Sequence, residues 1–181
     1  MAVLTGPLKL ALTIGVFAAV FPAAGKDVTL EEYQVKAAFL YNFTKFVEWP
    51  PEAFTQSDRI NICILGNNSF AALVEETVAG KEVGNHGFNV QKVAASTQGR
   101  GCHILFISKT DSKRQAALLG DIQDPYALAV GESDEFLANG GVINLTLKDA
   151  RVRIEINQRA AVRLRCRISS KLFTLANAIR K

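Results

Sequence analysis

Four consecutive apolar residues, Ile104, Leu105, Phe106 and Ile107, constrain the fold of this chain more than any other stretch. A strand with no polar position has no face to give to water, so it belongs at the centre of a parallel sheet covered on both sides. The neighbouring segments fit that frame. Residues 60–65 form a short β-rich run ending at Gly66, Asn67, Asn68 and Ser69, and residues 70–78 follow with helical spacing. Residues 88–94 read as a second strand. Thr110, Asp111 and Ser112 then cap a helix through Gly120, residues 126–130 form a further strand, and residues 132–138 a short helix ended by Asn139, Gly140 and Gly141.

The end of the chain has a different period. Ile143, Leu145 and Leu147 alternate with Val142, Asn144 and Thr146, and Val152, Ile154 and Ile156 alternate with Arg151, Arg153, Glu155 and Asn157. Joined by Lys148, Asp149 and Ala150, these runs predict an antiparallel hairpin with one wet face. Helix is expected from Arg159 onward, interrupted near Ser169 and Ser170. At the other end, residues 28–49 read as a helix capped by Thr29 and stopped by Pro50 and Pro51. Its apolar stripe is Val35, Phe39, Phe43, Phe46 and Val47, with Leu40 and Tyr41 outside it, so the apolar belt is wider than one core face needs. The expected fold class is α/β: a three-layer, mostly parallel mixed sheet with helices on both faces and a C-terminal antiparallel hairpin.

The first residues have the layout of a secretory signal peptide: Lys9, an apolar run over residues 10–21, then Pro22, Ala23, Ala24 and Gly25. Cleavage is expected after Ala24 or Gly25, leaving residues 26–181 as one exported domain. The run is shorter than the roughly 20 residues of a membrane span. At 49% hydrophobic the chain can fill a core. Charge is unevenly placed. Residues 151–181 carry nine Lys/Arg against Glu155 alone, a balance of +8; the chain without Lys9 stands at +3, which leaves −5 for residues 26–150. An acidic partner surface, anionic lipid headgroups or a solvated face could each account for that basic segment, whereas nucleic acid is not expected outside the cell.

Candidate chemistry is sparse. In a sheet of strand order 2-1-3-4, Cys63 in the first strand and Cys102 before the third are near enough for a disulfide, the alternative being two buried free thiols. Cys166 lies among arginines, which could activate it, or is a buried core cysteine. His103 adjoins Cys102, yet neighbouring strand residues point to opposite faces and cannot form a Cys/His dyad. His86 lies in a loop, and no metal-ligand cluster is visible; no metal or cofactor is expected. The turn at Asn67, Asn68 and Ser69 sits where open α/β sheets bind ligands, but it lacks a glycine-rich phosphate fingerprint. Asn42, Asn67 and Asn144 match glycosylation acceptors by chance. Glu155 is expected to be charge-paired with neighbouring arginines. No nucleophile, base and oxyanion set appears, so an enzyme is not expected.

The segments VKAAFLYNFTKFVEWP (35–50), ICILGNNSF (62–70), GCHILFIS (101–108), FLANGGVINL (136–145), VRIEIN (152–157) and ISSKLFTLA (168–176) occur in this order, and the chain resembles the YfiR family of exported proteins, DUF4154. The resemblance implies a periplasmic, non-enzymatic repressor. Its partner would be the exported domain of an inner-membrane diguanylate cyclase, YfiN-like, so that cyclic di-GMP synthesis and biofilm formation are held down. A YfiB-like outer-membrane lipoprotein would sequester it, and a homodimer is a further expectation. Cys63 and Cys102 fall on the family's structural disulfide, and Ile143 and Glu155 on structural hairpin positions. A second cysteine pair near the GG-I strand has no counterpart here, since no Cys lies between Phe136 and Asn157. Tyr33, Phe46 and Trp49 are the expected partner anchors, because amphipathic aromatics carry contact energy well. The other reading is a small-molecule sensor for another membrane signalling protein, with its ligand at Asn67, Asn68 and Ser69.

Overall fold

The computed structural model describes residues 27–110 and 112–180; the expected signal peptide and its cleavage point lie outside them. The chain begins with α1 (Asp27–Thr44) and the two-residue strand β1 (Val47–Glu48). Then come β2 (Ile60–Leu65), α2 (Asn68–Val78), β3 (Phe88–Val93), β4 (Ile104–Ile107), α3 (Ser112–Gly120) and β5 (Leu128–Gly131). The end comprises β6 (Ile143–Lys148), β7 (Arg151–Asn157), α4 (Gln158–Ala161), β8 (Arg167–Ile168), α5 (Ser170–Leu175) and β9 (Ala178–Arg180).

Seven strands form the main sheet in the order β3-β2-β4-β5-β6-β7-β9, and β1 and β8 make a separate antiparallel pair. The pairings of β2, β3, β4, β5 and β6 are parallel, β6–β7 is antiparallel and β7–β9 parallel. The mixed, mostly parallel α/β sheet expected from the sequence is thus present, with the 2-1-3-4 order at its start. β4, fully buried, lies between β2 and β5 as its composition requires. Crossovers to parallel strands are right-handed. β2 steps one way to β3 and β4 the other way to β5, so α2 and α3 cover opposite faces. Phe70 of α2 meets Phe106 at a tilt, ring centroids 4.6 Å apart, while Leu119 of α3 lies with Ala129 and Val142 on the reverse side.

Several expected boundaries fall elsewhere, each for a local reason. The first helix already includes Thr29, which is therefore not its cap, and it ends at Thr44 rather than Trp49. Val47 and Glu48 are instead paired with Ile168 and Arg167, and the residue before a proline is driven towards extended backbone. Its buried stripe is also rotated: Lys36, Ala37, Leu40, Phe43, Thr44 and Val47 face inward and Val35 is 44% exposed. Residues 132–138 form turns, not a helix, because Glu132 and Ser133 are held by the neighbouring strand ends. The expected long C-terminal helix is reduced to α4 and α5. Between them the order Arg-Leu-Arg-Cys-Arg-Ile, residues 163–168, has the period of a strand and not of a helix.

The hairpin is as expected, but its second face is not uniformly wet. Asn144 is fully buried, donating from Nδ2 to Ser133 O at 2.9 Å, and Val142 is buried as well. Glu155 sits opposite Asn144 and, contrary to the expected pairing with arginines, takes part in none of the ion pairs found among the described residues. The expected disulfide Cys63–Cys102 is formed, with Cα atoms 5.9 Å apart. It closes 39 residues around α2 and β3, worth about 4 kcal/mol in the chain-entropy picture.

Two adjacent glycines before β6 serve different ends. Gly140 has φ +101°, a conformation side chains rarely adopt, and ends the turn. Gly141, with Gly131 of β5, makes room for Phe136: a Cβ at either would stand 2.1 Å or 2.3 Å from its ring.

The hairpin loop is two residues long, Asp149 with φ 51° and Ala150 with φ 56°, the type I′ geometry that favours glycine at its second position. Ala150→Gly is expected to raise stability by about 0.5–1 kcal/mol, read from the urea unfolding midpoint, since the left-handed conformation costs alanine about that much. An unchanged or lower midpoint would contradict the strain.

Candidate functional site at the carboxyl edge of the sheet

In an open α/β sheet the loops after two neighbouring strands leave in opposite directions at the point where the strand order reverses, and ligands bind in that crevice. Here the point lies between β2 and β4, with the loops at Gly66 and Ser108. α1 runs antiparallel to these strands: Tyr33, near its start, meets Phe70 at 5.2 Å beyond the carboxyl ends, whereas Tyr41 meets Phe88 at the amino edge at 5.7 Å. Glu32, Tyr33 and Lys36 of α1 therefore project over the crevice.

Those side chains build a buried polar cluster. Lys36, 2% exposed, donates to Glu132 Oε2 at 2.5 Å and also bonds Glu32 one turn back. Glu132, at the end of β5, accepts at Oε1 from Lys109 N at 2.9 Å and from Tyr33 OH at 3.2 Å. Next to it, Ser133 Oγ accepts from Thr110 N at 3.2 Å. One carboxylate thus joins α1, the loop after β4 and the end of β5. Burial pulls the Lys36 ammonium down, but its hydrogen bonds to Glu132 and Glu32 outweigh that and hold its pKa above the usual lysine value. Burial, then the Glu132 charge, raises the Tyr33 phenol, so it stays a donor. The cluster needs no external ligand to satisfy Lys36.

The expected ligand turn lies on the rim. Asn67 caps α2, its Oδ1 accepting from Phe70 N at 3.0 Å, while Asn68 and Ser69 are exposed in the first helical turn. Gly66, with φ +103°, crosses close to Ser108, whose Cβ would stand 3.1 Å from an added Cβ, so the two loops are in contact where a ligand would otherwise enter.

The three expected partner anchors are not brought together. Tyr33 is at the carboxyl edge, bonded to Glu132. Phe46 and Trp49 lie past the other end of α1: Phe46 is half-buried, its carbonyl accepting from Ser169 N at 2.8 Å, and Trp49 donates from Nε1 to Tyr126 O at 2.9 Å. Trp49 belongs to an aromatic pile at the amino edge. Its ring meets His103 edge-on at 5.2 Å, Phe54 lies 4.5 Å from His103, and His86 stacks on Phe54 at 4.0 Å. His103 is buried, with Nδ1 accepting from Asn61 N at 3.0 Å; burial lowers its pKa to about 4, well past the opposing pull of Asp124. Cys166 is half-buried, and burial pushes its thiol up to about 11, so at neutral pH it is not the activated thiolate its arginine neighbours suggested.

Sequence reasoning missed the Lys36–Glu132 pair. A signal was there: Lys36 stands on the helical face of Leu40 and Phe43, and a lysine in a core stripe implies a buried carboxylate partner. Nothing local identified that partner, 96 residues away.

What the geometry defines is a mostly parallel α/β protein whose switch-point crevice is closed by its own ion pair. Among the described residues no helix is long and apolar enough to cross a membrane, and no group of three or more His, Cys, Asp or Glu is placed to hold a metal ion. Residues 33–177 match the family described as DUF4154, YfiR/HmsC-like, and the chain belongs to it. That family is one of regulators rather than catalysts, and it is linked to cyclic di-GMP signalling from the periplasm. A search of curated proteins found no match.

Two predictions follow from these sites. Lys36→Met strands Glu132 in the interior and is expected to lower stability by about 3–5 kcal/mol, whereas Lys36→Met with Glu132→Gln recovers most of the loss; a denaturant-based double-mutant cycle measures both. For His103, the unfolded chain takes up a proton near pH 6.5 and the folded protein only near 4. Stability is therefore complete above about pH 6.5 and declines as pH falls towards 4, by roughly 3 kcal/mol. Urea midpoints across that window check it, and His103→Asn, which keeps an acceptor for Asn61 N, removes the slope.

Proposed function

We propose that residues 26–181, exported as one domain after removal of residues 1–25, form a periplasmic negative regulator. It docks on the exported domain of a YfiN-like inner-membrane diguanylate cyclase and represses cyclic di-GMP synthesis. The observation that carries this reading is the family match over residues 33–177, supported by a disulfide that ties β2 to the approach to β4. Repression works by population shift: the regulator favours the inactive form of the cyclase to the extent that it binds that form more tightly. A YfiB-like lipoprotein that sequesters the regulator would relieve repression, and a homodimer is compatible with either partner.

The contact is assigned to the surface at Trp49 rather than to Tyr33, whose hydroxyl is engaged by Glu132. Trp49 is half-buried, fixed by its bond to Tyr126 O, and lines an open groove with Pro50 and Leu164, the setting in which an aromatic side chain contributes most to binding. Phe46 supports it from behind. A small-molecule sensor has less support, because Asn67 is engaged in capping α2 and the loops beside it are in contact.

Deleting the gene is expected to raise cellular cyclic di-GMP several-fold, with Trp49→Ala reproducing the rise in a protein that accumulates normally and unfolds cooperatively. Unchanged cyclic di-GMP on deletion would overturn the repressor, and a rise on deletion but not with Trp49→Ala would move the contact elsewhere.

A further inference from the structure

The segment that the sequence presented as helix is a basic ribbon. Along residues 163–168, Arg163, Arg165 and Arg167 are exposed, while Leu164, Cys166 and Ile168 are half-buried and pack against the core. The three arginines lie along a turn and bends that lead into the small sheet, and Arg163 Nε also donates to Arg159 O at 3.3 Å. The backbone beneath the arginines is held at both ends of the segment. Arg163 N and Leu164 N bond to Ala160 O and Ala161 O, each at 3.2 Å, and Arg165 N to Pro125 O at 2.9 Å. Arg167 and Ile168 pair with Glu48 and Val47 in the small sheet. These arginines are presented on a fixed edge, not on a loose tail.

Apolar groups accompany them. Val162, directly before the ribbon, is 74% exposed, the most exposed large apolar side chain among the described residues. Trp49, Pro50, Leu164 and Cys166 line an open groove of about 560 Å³, rimmed by Arg165, Arg167 and Glu48. The acids nearby are few and engaged. Glu48 lies 3.7 Å from Arg167 with both side chains still largely exposed, and the Asp124 carboxylate accepts from Gly101 N and Tyr126 N.

We propose that this ribbon docks the protein on an anionic phospholipid surface, with Arg163, Arg165 and Arg167 on the headgroup phosphates and Val162 at headgroup depth. Guanidinium groups match phosphate oxygens in geometry and charge. Two observations favour lipid over an acidic protein. The apolar component is one protruding side chain beside a shallow groove, which a fluid surface accommodates without a matching shape. The basic segment also holds the chain's positive excess, +8 over residues 151–181 against −5 over residues 26–150, and a plane of negative charge attracts it without a matching shape. Three cations and one aliphatic group give reversible attachment. The inference rests on the proposed regulator only for its purpose: holding the protein at the leaflet that carries its partner raises the effective concentration of their encounter. Attachment itself needs no partner.

The test is flotation of the purified protein with vesicles of phosphatidylcholine alone and with about a quarter phosphatidylglycerol. The protein is expected to float with the anionic vesicles, to be released by high salt, and to ignore the neutral ones. Arg163→Glu with Arg165→Glu should weaken binding by roughly 30-fold or more. Val162→Asp, at an exposed position, should also weaken it without altering thermal unfolding. No flotation with anionic vesicles, equal flotation with neutral ones, or binding indifferent to the double variant would each overturn the proposal. Capture by soluble poly-glutamate as tight as by vesicles would assign the ribbon to an acidic protein instead. Cyclase repression that survives in a variant unable to float would leave the regulator standing and show that it works without the membrane contact.

Discussion

The Lys36–Glu132 contact is the point at which the layers of this protein are joined. A helix packed only by apolar side chains can slide or rotate by a fraction of a turn at small cost; an ammonium buried against a carboxylate cannot, because any displacement separates two charges away from water. Glu132 in turn is fixed by Lys109 N and Tyr33 OH, so the strand ends of β4 and β5 and the start of α1 share one anchor. The rotated register of α1 follows: with Lys36 inward, Ala37, Leu40 and Phe43 are brought inward too, and Val35 is turned out. The same contact fills the crevice that this class of sheet ordinarily offers to a ligand, which directs attention from the interior to the surface.

At the opposite edge the organisation is aromatic. Trp49, His103, Phe54 and His86 contact one another in succession and close the amino ends of the strands. One edge of the sheet thus depends on ionised groups and the other on a neutral imidazole, and the two respond to acid differently. The disulfide lies inside the sheet between them, tying β2 to the approach to β4.

How much of this was legible in the sequence depended on whether the deciding contact was local. β4, the hairpin and the disulfide were readable because their signals lie in composition, in a period of two, and in a strand order that brings Cys63 and Cys102 together. The bounds of α1 were not, because β1 exists only through its pairing with β8, 120 residues later in register. The turns over residues 132–138 were missed for the same reason, since Glu132 and Ser133 are held by Lys109 and Thr110. The ribbon over residues 163–168 was a misreading of another kind. Its alternation of arginine with Leu164, Cys166 and Ile168 is visible in the sequence and does not fit the helix expected from Arg159 onward. At the candidate site, Asn67 was correctly placed beyond β2, while the distances that fill the crevice come from residues 33, 36 and 132, which no linear pattern connects.

Phe136 bears on what the glycine pair before β6 can report. Gly140 is dictated by backbone angle and Gly141 by the ring above it, with Gly131 completing the recess from the next strand. The pair by which this chain resembles its family is in this sense the imprint of a phenyl group, a mould whose casting is hidden inside the protein. In a distant sequence, finding two glycines there together with an aromatic residue five positions earlier would signify a shared interior. It would carry no information about which partner that relative meets on the outside.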